Sequence, residues 1–155
     1  MSVEVNNESG VAVDEGRLLR LASFVLESMY VHADTELSLM FVDEAAIEHL
    51  HVQWMDEPGP TDVLSFPMDE LRPGRPDAKS PAGLLGDIVV CPQVAEGQAE
   101  AAGHDLEQEI TVLVTHGMLH LLGFDHGTPD EEAEMFGLQR DLVLAFSARE
   151  RTRRA

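Results

Sequence analysis

Apolar residues recur along this chain at one of two spacings, and the spacing names the element. In DEGRLLRLASFVLESMYVH, residues 14–32, Leu18, Leu21, Ala22, Val25 and Met29 fall three or four apart, on one helical face, behind Asp14 as a cap. SVEVNN (2–7) and TELSLMFV (35–42) read as strands. Asp43 caps a second helix, EAAIEHLHVQWM, in which Ile47, Leu50 and Trp54 share a face, and Pro58, Gly59 and Pro60 end it. DVLSF (62–66) and LLGDIVVC (84–91) are β-rich apolar runs separated by Pro67 and the irregular segment LRPGRPDAKSPAG. Val63, Leu64, Phe66, Ile88 and Val89 are expected in the sheet core, with Asp62 and Asp87 as turn caps. Pro92 opens a helix weakened by Gly97. Asp105 caps LEQEITVLVTHGMLHLL with a stripe of Leu106, Ile110, Leu113 and Val114. The last helix starts at Thr128, with Pro129 in first position and Glu131 completing a capping box. The order β-α-β-α-β-β-α-α-α predicts an α+β layered domain.

A chain of 155 residues suits one domain, 1–155, large enough to bury a core. No run of 18 apolar residues exists, so no membrane partner is expected. MSVEVNNESG lacks the basic and apolar parts of a signal peptide, so the expectation is a cytoplasmic protein. The single Cys91 has no partner for an internal disulfide, which agrees with a reducing compartment. Charge changes the picture more. A net charge of -19 opposes polyanion binding, and no DNA partner is expected. The few cations cluster, however: Arg72, Arg75 and Lys79 in the Pro/Gly-rich segment, and Arg149, Arg151, Arg153 and Arg154 within 149–155, read as a frayed basic tail.

The candidate chemistry lies in HGMLHLLGFDH, residues 116–126. His116 and His120, four apart on a helix, project from one face and can converge on one ion. Gly123 suits the left-handed turn that ends a helix and would let His126 fold back toward them. Three histidines are the ligand count of a catalytic zinc site with its fourth position open, one Zn2+ per chain. Glu109, seven residues before His116, and Asp125, beside His126, are candidates to take the second ring N–H of a ligand. His32, His49, His51 and His104 lack such spacing and read as surface or core residues. Zinc peptidases of the His-Glu-x-x-His type place their general base directly after the first histidine, and here that residue is Gly117. A metal still polarises a phosphoryl oxygen, and RNA carries its own 2'-hydroxyl nucleophile, so the residues permit a ribonuclease without selecting one.

Three blocks, PTDVLSFP, LGDIVVCP and HGMLHLLGFDH, together resemble the YbeY family of bacterial rRNA maturation factors, over about Leu50 to Phe146. The resemblance implies a small mixed sheet of about four strands, with the helices, about five here, packed around it and the zinc helix central. It also implies a zinc-dependent, single-strand-specific endoribonuclease acting in 16S rRNA 3'-end maturation and late 30S quality control. The implied ligands are His116, His120 and His126, and the implied partners are the 16S 3' precursor region and the small ribosomal subunit with its proteins. The chain departs from the family where many members carry Leu-Asn and then Tyr-Arg, an arginine favoured for holding phosphate. The matching positions here are Leu50, His51, Trp54 and Met55. Arg72, Arg75 or Lys79 are then the candidates for RNA binding, and Glu109, Asp125 and Ser65 for a catalytic role. Two alternatives stand beside this reading: a ribosome-assembly factor with a structural zinc, suited by its acidity to basic ribosomal proteins, and a metallopeptidase, which Gly117 opposes.

Overall fold

The structure, a computed structural model, describes residues 2–57, 59 and 61–154. The elements follow the order read from the sequence: β1 (Ser2–Asn7), α1 (Glu15–Ser28), β2 (Glu36–Phe41), α2 (Glu44–Met55), β3 (Val63–Pro67), β4 (Leu84–Val90), α3 (Pro92–Ala102), α4 (Leu106–Leu121) and α5 (Pro129–Arg154). Local chemistry sets the starts. Asp14, Asp43 and Asp105 accept hydrogen bonds from the N–H groups of Arg17, Ala46 and Gln108 at 3.0, 2.9 and 2.8 Å, satisfying donors that each first turn leaves open. Thr128 Oγ1 accepts from Glu131 N at 3.2 Å.

The four strands form one mixed sheet in the order β1-β2-β4-β3, with β1, β2 and β4 parallel and β3 antiparallel to β4. This is the α+β class expected. Strand alternation sorts the two faces. Leu39, Phe41, Ile88 and Val90 are fully buried and join Val114, Met118 and Leu119 of α4 in the main core, so α4 is the central helix. On the other face Val42, Leu64, Val89 and Cys91 pack with Ile47 of α2 in a smaller cluster. Ser65 pairs with Ile88 and Val63 with Val90, so both point to the α4 side, one residue out of phase with Leu64 and Phe66.

Three expectations change. Trp54 does not share the burial of Ile47: it is 62% exposed, its ring meeting Phe66 edge-on, because α2 covers just part of its sheet face. The end of α2 is set by Asp56 in the left-handed conformation, while Pro58 and Pro60 lie outside the described residues. Asp62 does cap the start of β3, accepting from Val63 N at 2.7 Å, but Asp87 sits inside β4, paired with Phe66 and Ser38, and caps no turn. The expected frayed tail is helical through Arg154. Glu150 anchors it: buried, it accepts two 2.9 Å bonds from Arg20 and one of 3.4 Å from Arg17, tying α5 to α1. Arg20 holds the Glu150 carboxyl below its ordinary pKa.

Candidate metal centre

Helix α4 supplies two candidate ligands, His116 and His120, and the loop after it supplies the third, His126. Gly123 is left-handed at φ +97°, Gly123 N donates to His120 O at 3.0 Å, and Phe124 N donates to Leu119 O at 3.0 Å. These two bonds form a Schellman stop, which turns the chain back on itself. His126 thereby returns to the helix. Ring centroids lie 4.6 Å apart for His116 and His120, 5.2 Å for His120 and His126, and 5.7 Å for His116 and His126. One ring nitrogen from each lies within 4.8 Å of the others, close enough to share one ion.

The donors suit a metal chemically. Burial, followed by the neighbouring imidazoles, lowers the His120 pKa; burial lowers that of His116 too, against the raising effect of Gln139. Both rings are therefore neutral at pH 7, and neutral imidazole is the ligand form. His116 Nδ1 lies 2.7 Å from Gln139 Oε1 on α5, and an amide oxygen can only accept, so the proton is on Nδ1 and Nε2 keeps its lone pair for an ion. The cluster is not sealed: His126 is exposed, and the three rings line a pocket of about 650 Å³ with Met55, Asp62, Ser65, Phe136 and Gln139 on its walls. An open side is what a catalytic site needs and a structural one avoids.

Gly117 faces the sheet, not the pocket. A Cβ there would come within 3.1 Å of Ile88 Cδ1 and Cγ2 and of Ser65 Oγ, so the residue is small because α4 packs tightly on β3 and β4. No acid follows the first histidine, and the peptidase arrangement is absent.

A family model described as Endoribonuclease YbeY matches residues 4–147. The chain belongs to the YbeY family. A YbeY relative named as an endoribonuclease in Leifsonia xyli subsp. xyli is 65% identical over 151 residues, covering 97% of this chain and 99% of the relative. Another, in Clavibacter sepedonicus, is also 65% identical, covering 99% of this chain and all of its own length. The YbeY chain is also similar to the solution structure of TM1509 from Thermotoga maritima, with a TM-score of 0.65 at 27% identity, covering 97% of this chain and 93% of that one.

Of the residues singled out in sequence, the structure gathers His116, His120, His126, Ser65 and Met55 at the pocket. Ser65 Oγ donates to Gly117 O at 3.5 Å. Glu109 is elsewhere: buried, it meets His104 Nε2 at 3.2 Å and no ligand histidine, because seven residues carry it two turns up the helix. Asp125 is exposed and accepts from His126 N at 2.8 Å, fixing the backbone of the loop and not the ring. Arg72, Arg75 and Lys79 line no part of this pocket. Arg72 lies against Gly123 beside the neighbouring cleft, and Arg75 closes a turn with Ala78. Gln139 and Phe136 were missed. Their spacing of three on α5 marks a shared face, but nothing local to them reveals that this face meets α4.

Proposed function

We propose that this chain is a zinc-dependent, single-strand-specific endoribonuclease, acting in the cytoplasm in 16S rRNA 3'-end maturation and late 30S ribosome quality control. The observation that carries the reading is the cluster of three histidines opening onto a pocket of about 650 Å³, in a chain of this family. His116, His120 and His126 hold the ion, one per chain. Bound zinc supplies Lewis acidity at a phosphoryl oxygen and lowers the pKa of water toward about 7. The chain's own residues do the positioning. Gln139 fixes the His116 ring, and Asp62, the sole carboxylate among the pocket-lining residues, stands on the wall as the available protein base. Attack by water or by the 2'-hydroxyl breaks a backbone P–O bond, and the departing oxygen takes up a proton.

The partners are the 3' precursor region of 16S rRNA and the small subunit with its proteins. A second reading rests on the net charge of -19, which suits basic ribosomal proteins better than RNA: an assembly factor whose zinc is structural. Among the described residues no helix is long and apolar enough to cross a membrane.

The deciding test incubates metal-loaded and chelator-stripped protein with a single-stranded RNA ending in the 16S 3' precursor, beside His120→Ala. Cleavage that vanishes with the metal and in the variant supports the enzyme. Stoichiometric zinc without cleavage transfers the role to assembly.

A further inference from the structure

A site that grips RNA usually does so by neutralising phosphates, yet among the described residues no lysine or arginine lines this pocket, and Asp62 adds a negative charge. What the pocket does present is apolar surface: Met55, Val63, Pro67 and Phe136. Phe136 is the unusual member. It is 41% exposed, and its ring stacks on His116 at a centroid distance of 5.7 Å and 22° between planes, with His126 also at 5.7 Å. The ligand histidines hold the ring in place without covering it, and its exposed surface stands beside the proposed reaction centre. On α2, Met55 is 45% exposed and its neighbour Trp54 62%, which widens the apolar surface.

Resting on the endoribonuclease reading, we propose that Phe136 is the base-stacking platform of this site. The pocket then takes single-stranded RNA by the nucleobase next to the scissile phosphate, not by its phosphates. Stacking on an aromatic ring tolerates any base but requires one released from its neighbours, so a duplex cannot supply it.

The test mixes the full chain, zinc-loaded and metal-free, with short single-stranded RNAs carrying one 2-aminopurine at successive positions. Fluorescence then reports stacking whether or not cleavage follows. One position should be quenched, with affinity nearly flat between low and moderate KCl, against a slope of about -0.7 for each phosphate neutralised on a single strand. Phe136→Ala should weaken binding roughly 5- to 150-fold and abolish the quenching. Phe136→Trp should retain both. Phe136→Leu, which keeps apolar packing on His116, should still lose the quenching, which separates stacking from support of the ligand. Quenching that survives in Phe136→Ala, a wild type that quenches at no position, or a steep salt slope each overturns the proposal. Quenching and binding without cleavage would instead sink the nuclease reading and leave the platform standing.

Discussion

At the residue scale, the arrangement hinges on which nitrogen of each histidine is free. The 2.7 Å contact from His116 Nδ1 to Gln139 Oε1 decides that for one ligand, and an amide does so without adding charge. Gln139→Leu removes the acceptor. It should weaken zinc binding roughly 10- to 100-fold in a chelator competition while leaving circular dichroism unchanged. Gln139→Glu keeps an oxygen in reach and should recover most of the affinity. The 15N shifts of the metal-free protein give the check: His116 protonated at Nδ1 in the wild type, with that preference lost in Gln139→Leu. The histidine triplet was legible from the chain because an i, i+4 pair and a glycine stop are local geometry. Gln139 was not, since 23 residues and a change of element separate it from His116.

At the element scale, the contact between α1 and α5 holds the long C-terminal helix in place. Glu150 joins Arg20 and Arg17, Arg17 Nη2 reaches Thr111 Oγ1 on α4 at 3.3 Å, and Arg149 lies over the Phe24 ring at 5.1 Å. Glu150→Gln removes the nearer of two carboxylates beside buried Arg17, leaving Glu107 at 3.7 Å, and should cost roughly 1–3 kcal/mol in urea unfolding. The linkage has a definite sign. The folded Glu150 carboxyl has a pKa below its ordinary 4.5, so its stabilisation is complete above that value and is lost as pH falls through the lower folded value. Acid titration of the wild type should show this loss below about pH 4.5, and the glutamine variant should lack that component. The basic run at 149–154 looked like a solvated tail because charge alone marks exposure. Its partners Arg20 and Phe24 lie more than a hundred residues earlier, which no local pattern carries.

At the scale of the whole molecule, the core does not run through the histidines: α4 buries Val114, Met118 and Leu119 against the sheet, while His116, His120 and His126 sit at the pocket edge. Chelation should therefore leave the helical signal intact. Zinc at a hundred times its Kd should add about 2.7 kcal/mol, roughly 5–10 °C in Tm for a chain of this size. Unfolding on metal removal would instead mark the ion as structural. The sequence by itself determined the element order, the α+β class, the three helix caps at Asp14, Asp43 and Asp105, and the histidine triplet with its turn. Each is a matter of period, capping or spacing within a few residues, where covalent geometry leaves few choices. Only the tertiary structure decided that β3 closes the sheet beside β4, that Ser65, Phe136 and Gln139 meet the histidines, and that Glu109 and the loop cations do not. Those outcomes depend on which faces pack together, and packing is a property of the assembled chain, set by the buried surface of elements far apart in sequence.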